Sequence, residues 1–432
     1  MRKKLMCATI AVAVMGGASL SFAAGFRINE QGAKAMGMAN AFAAQADDPS
    51  ALYYNPAGIA NLKGFQVNLG SLVIAVPQTT FTGTTALSGS TAVDEKAKKD
   101  LFIAPTLYAT YSLDNIPLTL GLGVNSIYPL AKSWDASSAF RNQIQDISIK
   151  PINFQPTVAY RFDGLNLAVA AGLDVTHAIV SLQRRAHTMT PSGAADVGDL
   201  GLDGTATDVG YNLGAQWKPR KDLSFGVHYR SEITLRIKGD ANYLPTSFGA
   251  ILTQTDPNNL SRITSTASTD ITLPDSLILG VAWQPTEKLT LEFDAERTGW
   301  SSFNKLEFHF DNNSLNAFNN KPSPKNWKDV WAYRVGGQYA VNKKLDLRAG
   351  YAYDETPIPD STLGPELPDA DRHNLTFGLG LHNDFATLDL AYMWVHFIDR
   401  TSNNQDNVAL TGQNGTFKSD AHLFGASITV KF

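Results

Sequence analysis

The chain has 432 residues, 44% apolar and 18% charged, with 36 basic against 40 acidic side chains for a net charge of −4. That balance excludes a nucleic-acid-binding protein, which needs a strongly basic face. A lone cysteine, Cys7, excludes a disulfide framework.

Met1–Ala23 reads as a secretory signal. Arg2, Lys3 and Lys4 give the charged start, Met6–Leu20 the apolar middle, and Ser21-Phe22-Ala23 a small-x-small cleavage site. Cleavage would remove the only thiol. It would leave 36 − 3 basic against 40 acidic residues, a net charge of −7.

Ala24–Lys63 is rich in Ala, Gly and Met and poor in β-branched residues, so it leans helical. Asp48-Pro49 and Asn55-Pro56 each set a capping side chain before a proline, predicting two short helices that cannot merge. A segment this short cannot bury a core of its own and needs a container.

The rest of the chain, 64–432, alternates apolar and polar residues in runs longer than a soluble strand and suited to a tilted bilayer crossing. Fourteen strands begin near Phe65, Leu101, Leu118, Ile147, Leu165, Val209, Leu223, Ile271, Leu289, Trp331, Leu345, Leu375, Leu388 and Ala421. The clearest, Leu223–Ile237, is read as one unbroken alternation with Ile233, Leu235 and Ile237 on its apolar, outward face. Tight turns on one side alternate with long polar loops on the other, at 78–99, 129–145, 184–206, 239–269, 299–329, 354–371 and 399–419. An even strand count with that asymmetry predicts an all-β membrane protein, a 14-stranded antiparallel transmembrane β-barrel with both termini periplasmic. Tyr111, Tyr160, Trp217, Trp283, Tyr339 and Phe432 fall at the short-turn ends, as an interfacial girdle does. The terminal Phe432 is what barrel assembly machinery is expected to read. A barrel of this width is not filled by its own side chains, so Ala24–Lys63 is expected inside as a helical hatch.

Arg230, Glu232, Arg236, Glu292, Asp294, Glu296, Arg334, Asp346 and Arg348 fall on faces read as lumenal and are expected to pair with one another and with the hatch. Eight scattered histidines offer no metal spacing, and Ser427 lies on the opposite face from His422. Neither an enzyme nor a metal or cofactor site is expected.

At this point the chain resembles the FadL-type long-chain fatty acid and hydrocarbon transporters of Gram-negative outer membranes. The resemblance rests on Ala24-Gly25-Phe26, Asn55-Pro56-Ala57, Leu273-Pro274, Trp300-Ser301-x-Phe303, Pro357-Ile358-Pro359 and Pro368-Asp369-x-Asp371-Arg372, in that order. It implies a hatch that blocks the lumen, an apolar pocket that binds the acyl chain, and sideways release into the membrane. A channel for aromatic or other hydrocarbons, a general porin and an adhesin barrel stay open as alternatives.

Residues follow for each step. Tyr243, Leu244, Phe248, Ile251 and Leu252 are too apolar for a solvated loop and predict a short amphipathic helix that captures ligand at the outer mouth. Phe26, Asn55, Pro56 and Ala57 are the expected hatch and gate. Gly121, Gly123 and Asn125 on the third strand, flanked by Pro105, Pro151 and Pro156, are expected to mark a lateral exit. Arg184, Arg185, Lys321 and Lys325 are candidate carboxylate partners, or else contacts to lipopolysaccharide. The expected partners are a hydrophobic ligand, outer-membrane lipid and lipopolysaccharide, and the barrel is expected to work as a monomer.

Overall fold

A computed structural model of the chain describes residues 25–432 apart from 77, 191–192, 259, 317, 319–321 and 405–411. The signal segment Met1–Ala23 and Lys321 lie outside the described residues. Fourteen strands close into one antiparallel barrel. They are β1 (Phe65–Val76), β2 (Asp100–Ser112), β3 (Leu118–Asn125 and Leu130–Ser133), β4 (Asp146–Phe162), β5 (Leu167–Thr190), β6 (Gly193–Arg220) and β7 (Leu223–Arg230 and Ile233–Pro245). Then come β8 (Ile263–Leu273 and Ser276–Thr286), β9 (Leu289–Thr298), β10 (Val330–Asn342), β11 (Leu345–Asp354), β12 (Arg372–His382), β13 (Ala386–Phe397) and β14 (Asp420–Lys431). Pairing of β1 with β14, Gln66↔Lys431 through Ala75↔His422, closes the ring and leaves no edge strand. Outward leucines and aromatics are exposed along the wall, including Tyr111, Trp217, Trp283, Tyr339 and Phe432.

Three readings need correction. The segments 184–206 and 239–269 are not loops throughout: β5 and β6 pair to Thr190↔Gly193 with one bulge between Ala186 and His187, and β7 pairs with β8 as far as Tyr243↔Ile263, leaving only the residues between Pro245 and Ile263 as a connection. Polar composition misled there, because these strands continue past the apolar band into water, where an outward face has no need to be apolar. The third correction concerns β7. The strand breaks at Ser231-Glu232, and beyond the break Ile233, Leu235 and Ile237 turn inward while Glu232 and Arg236 turn out. One extra residue in a period-two element exchanges its faces. The guanidinium of Arg236, read as lumenal, is two-thirds exposed and pairs with Asp208 at 2.6 Å.

The hatch sits in the lumen. It contains α1 (Ala33–Met36), α2 (Ala51–Tyr54) and a 3-10 turn, Pro56–Asn61. A helical turn follows each marked proline, but the first begins two residues past Pro49, at Ala51 with Ser50 as N-cap, and the second is a 3-10 turn and not an α-helix. Asp48 Oδ1 accepts from Ser50 N at 2.8 Å, and Asn55 Oδ1 from Ala57 N at 3.2 Å, with Pro56 where no N–H is needed. Outside the barrel ring, the short strands Thr80–Thr85, Val93–Lys96, Arg400–Asn403 and Gln413–Lys418 form a small sheet. Its core is the ring cluster Phe81, Phe140 and Phe417, with centroids 4.7–5.9 Å apart.

Candidate functional site

Lumen-facing carboxylates hold the hatch by its backbone. Asp294 accepts from Phe42 N at 2.9 Å and Ala43 N at 3.0 Å; Glu292 accepts from Ala44 N at 2.6 Å and Gln45 N at 3.0 Å. The opposite polarity is met by Gln216 Nε2 and Ser224 Oγ, which donate to Ala44 O at 2.7 and 2.8 Å. Arg27 pairs with Glu296, which also takes Arg334 at 2.9 Å; Arg348 pairs with Asp389 at 2.7 Å. Buried charges therefore find partners, as burial demands. The close approach requires glycine in the wall. A Cβ on Gly226 would lie 2.0 Å from Ala43 O, and one on Gly336 2.5 Å from Met38 O.

Asn55 is a joint between hatch and wall: its Nδ2 donates to Ala43 O at 2.7 Å and to Ala215 O at 2.9 Å. Pro56 and Ala57 are buried beside it, packed toward Gly214. At the other end of the hatch, Phe26 is buried among Tyr128, Trp300, Phe303 and Trp327, with centroids 4.9–6.3 Å away. Gly25 precedes it at φ +68°, anchored through its N–H to Asp369 at 3.1 Å. Sequence reasoning found Trp300 and Phe303 but missed Tyr128 and Trp327. Neither of those stands in a periodic apolar run.

On the side of the long connections is a cavity of about 610 Å³, within the range of small-molecule sites. Leu252, Tyr243, Leu306, Phe308, Arg184 and Lys325 contribute to its lining. Helix α3 (Ser247–Leu252) forms as expected, capped by Thr246 Oγ1 on Gly249 N at 3.1 Å. Leu244, Phe248, Ile251 and Leu252 are exposed on and beside it, whereas Tyr243 is fully buried and donates to Val197 O at 2.6 Å. The candidate cations separate. Arg185 is engaged by Asp199 at 2.9 Å and Lys325 by Glu366 at 2.6 Å. Among the described residues Arg184 has no carboxylate partner, and it faces the cavity. Leu306 and Phe308 also line a narrow apolar cleft beneath, with Ile149, Leu202, Ile237 and Ile271. Of these, Ile149, Ile237, Ile271 and Leu306 belong to one apolar cluster that continues to Phe26, while Leu202 and Phe308 belong to a neighbouring cluster around Tyr243.

Gly121 and Gly123 lie within an intact ladder, paired to Thr110 and Tyr108 on one side and Thr157 and Gln155 on the other. The space beside Gly121 is occupied by the hatch: a Cβ there would meet Leu52 at 2.5 Å and Ile59 at 2.9 Å. The break in the wall comes just after Asn125. Pairing of β2 with β3 stops at Leu107↔Val124, while the chain at 126–129 turns inward. Ile127 O accepts from Ile28 N of the hatch at 2.8 Å, and Ser126 O from Gln31 Nε2 at 2.7 Å. The strand resumes at Leu130 against β4 alone. Pro105, without an N–H, stands at the unpaired edge of β2, where Leu101 and Ile103 are exposed.

The fold defines a class: a closed antiparallel β-barrel with an apolar outward wall and a plug formed by its own chain in the lumen. The chain belongs to the family described as outer membrane protein transport protein (OMPP1/FadL/TodX), whose model matches residues 14–432. It is similar to the long-chain fatty acid transport protein of Escherichia coli O6:H1, 24% identical over 413 residues and covering 90% of each chain. Among solved structures it is similar to a Pseudomonas aeruginosa FadL homologue, at 22% identity and TM-score 0.83 over 95% of this chain and 100% of that one. It is also similar to the Ralstonia pickettii toluene transporter TbuX, at 18% identity and TM-score 0.69 over 93% and 98% of the chains. At those identities the two structures speak to the fold alone. The protein is a Gram-negative outer-membrane transporter of hydrophobic molecules.

Proposed function

We propose that the transported molecule is a long-chain fatty acid or a similar amphiphile with an anionic head. Arg184, without a carboxylate partner among the described residues, at the wall of a cavity of mixed polar and apolar lining carries this reading. A guanidinium with no anionic partner can take a carboxylate by charge-assisted hydrogen bonds, while the acyl chain takes the apolar part of the lining, Leu252, Leu306, Phe308 and Phe318. Ligand first meets Phe248, Ile251 and Leu252, settles against Arg184, and moves its tail into the cleft toward Phe26. Displacement of the hatch around Asn55-Pro56-Ala57 then lets it reach the break after Asn125 and leave sideways. Both termini face the periplasm in this arrangement, Phe432 serves the assembly machinery, lipopolysaccharide surrounds the outer rim, and one chain suffices. The ring cluster around Phe26 supports a second reading, an aromatic hydrocarbon as cargo, for which Arg184 would be dispensable.

Arg184→Met separates the two. A charge-assisted hydrogen bond contributes about 1.5–3 kcal/mol, so oleate binding is expected to weaken about tenfold or more. Toluene uptake is expected to stay unchanged. Unaltered oleate affinity, measured by tryptophan fluorescence in detergent, would remove the anionic head from the mechanism.

A further inference from the structure

The wall has a second break. β6 pairs with β7 from Arg220↔Leu223 to Asn212↔Arg230, and again from Thr205↔Lys238 to Gly198↔Pro245. Between those ladders β7 advances from 230 to 238 while β6 advances from 212 to 205, one residue more on β7. The same offset occurs at the β3 kink, where 125 to 130 on β3 spans 153 to 149 on β4. One inserted residue thus opens the wall in two places, and bulges of this kind concentrate at functional positions.

Inside the second seam the strands are joined mainly by side chains. Ser231 Oγ accepts from Tyr211 N at 2.9 Å, and Asp208 accepts from Arg236 N at 2.9 Å and from Arg236 Nη1 at 2.6 Å. One backbone bond, Ser231 N to Tyr211 O at 2.9 Å, accompanies them. On the outer face the seam forms a notch of about 660 Å³, lined by Leu173, Val209, Tyr211, Tyr229, Ser231 and Glu232 among others. On the inner face stands Ile233. A Cβ on Gly210 would lie 2.6 Å from Ile233 Cγ1 and 2.8 Å from Ser231 Oγ, so Ile233 is the apolar side chain that fills the space behind the glycine, with the Ser231 hydroxyl beside it. Ile233 shares an apolar cluster with Ile271 and Ile237, which line the cleft.

The two seams also touch. Tyr128, on the inward kink of β3, donates to Pro274 O at 3.1 Å. Pro274-Asp275 is the interruption of β8 that lies opposite Ser231-Glu232, flanked by Arg230↔Ser276 and Ile233↔Leu273. By contrast with 126–129, no hatch hydrogen bond among the described residues reaches 231–237.

We propose that the β6–β7 seam is a second lateral port, gated by Ile233, through which an apolar chain held in the cleft passes into the outer leaflet without displacement of the hatch. The inference rests on the transport reading above. An unpaired backbone group in lipid costs several kcal/mol, so a wall can open only where other partners stand ready. Ser231 and Asp208 supply them here. The route is short, with Ile233 as its barrier, and its outer end meets Leu173, Val209 and Tyr211 on β5 and β6 beside the carboxylates of Glu232 and Asp275.

The test couples Gly210→Cys with Ile233→Cys, since a side chain at 210 is directed onto that of 233, its Cβ 2.6 Å from Ile233 Cγ1; disulfide formation is verified by thiol titration before and after oxidation. Cys7, the only native cysteine, lies in the signal segment, so no other thiol competes. The pair is made in a background lacking Ser126, a deletion that restores one register to β3 and closes the first seam. Uptake of labelled oleate by Gram-negative cells without another route is measured before and after dithiothreitol. Residual uptake that falls to about half or less on oxidation and returns on reduction supports the port. Equal uptake in both states, or none at all once Ser126 is deleted, overturns it. As a second variant, Ile233→Gly with β3 intact should raise uptake about twofold, and no rise overturns the port. If the parent chain itself moves no oleate, the transport reading fails and the port with it, whereas parent uptake that is blind to both seam variants sinks the port alone.

Discussion

Gly226 shows how single residues set the hatch in place. Its missing side chain lets Ala43 O come to where a Cβ would be 2.0 Å away, and the carboxylates of Glu292 and Asp294 then reach the neighbouring amides. Gly226→Val is expected to weaken hatch docking by about 1–3 kcal/mol, the usual cost of overpacking. The readout is faster hydrogen exchange at residues 42–45 in a barrel that still shows heat-modifiable mobility. Gly164→Ala, where nothing lies within 4 Å, should leave exchange unchanged and serves as the control. Slow exchange in both proteins would mean that the wall glycines do not set the fit. Gly121 carries the same lesson: it makes room for Leu52 and Ile59 of the hatch, so Gly121→Val is expected to act on the plug.

Two elements respond to conditions. In the hatch, burial pushes the Asp48 carboxyl up to about 6. The docked hatch therefore favours the protonated form of this group. Its stabilising contribution is complete below about pH 4, the value for a free aspartate, and is lost as pH rises through 6. Asp48→Asn keeps the acceptor for Ser50 N and removes the titration. Exchange of hatch amides, corrected for intrinsic rates, should quicken between pH 4 and pH 7 more in the parent than in the variant; identical pH profiles would refute the assignment. At the rim, α3 exposes Phe248, Ile251 and Leu252. Changing Phe248 and Leu252 to Ser removes about 1.5–3 kcal/mol of apolar attraction per side chain that ligand would bury. Uptake at low oleate concentration should drop while assembly and uptake at saturation persist. Unchanged uptake would leave the helix as a mere rim.

For the molecule as a whole, wall and plug are joined, because the β3 kink is bonded to the hatch through Ile127 and Ser126. Deleting Ser126 should yield a folded barrel that binds oleate normally and delivers less of it. Undiminished delivery would rule out release after Asn125. Much of this architecture was legible beforehand. Strand alternation, the short and long connections and the terminal Phe432 pointed to a closed barrel, and the proline-capped Ala24–Lys63 to its plug. The helix Ser247–Leu252 was legible too, since Phe248, Ile251 and Leu252 share a helical face. The lateral break was misplaced by a few residues, because glycine on a lumen face signals close approach without saying of what.

The sequence by itself determined what depends on local pattern: a membrane barrel, its strand count, an internal hatch and an apolar rim. Two features were decided only by tertiary structure. The first is register. An extra residue at β3 or β7 is defined against the neighbouring strand, so the break after Asn125 and the inward turn of Ile233, Leu235 and Ile237 have no local signature. The second is which charge stays unpaired. Arg184 and Arg185 are adjacent in the chain, yet alternate sides of a strand give one to Asp199 and the other to a cavity of mixed lining. Coulomb pairing acts through space, and the acids that complete it come from elements that only the closed barrel brings near.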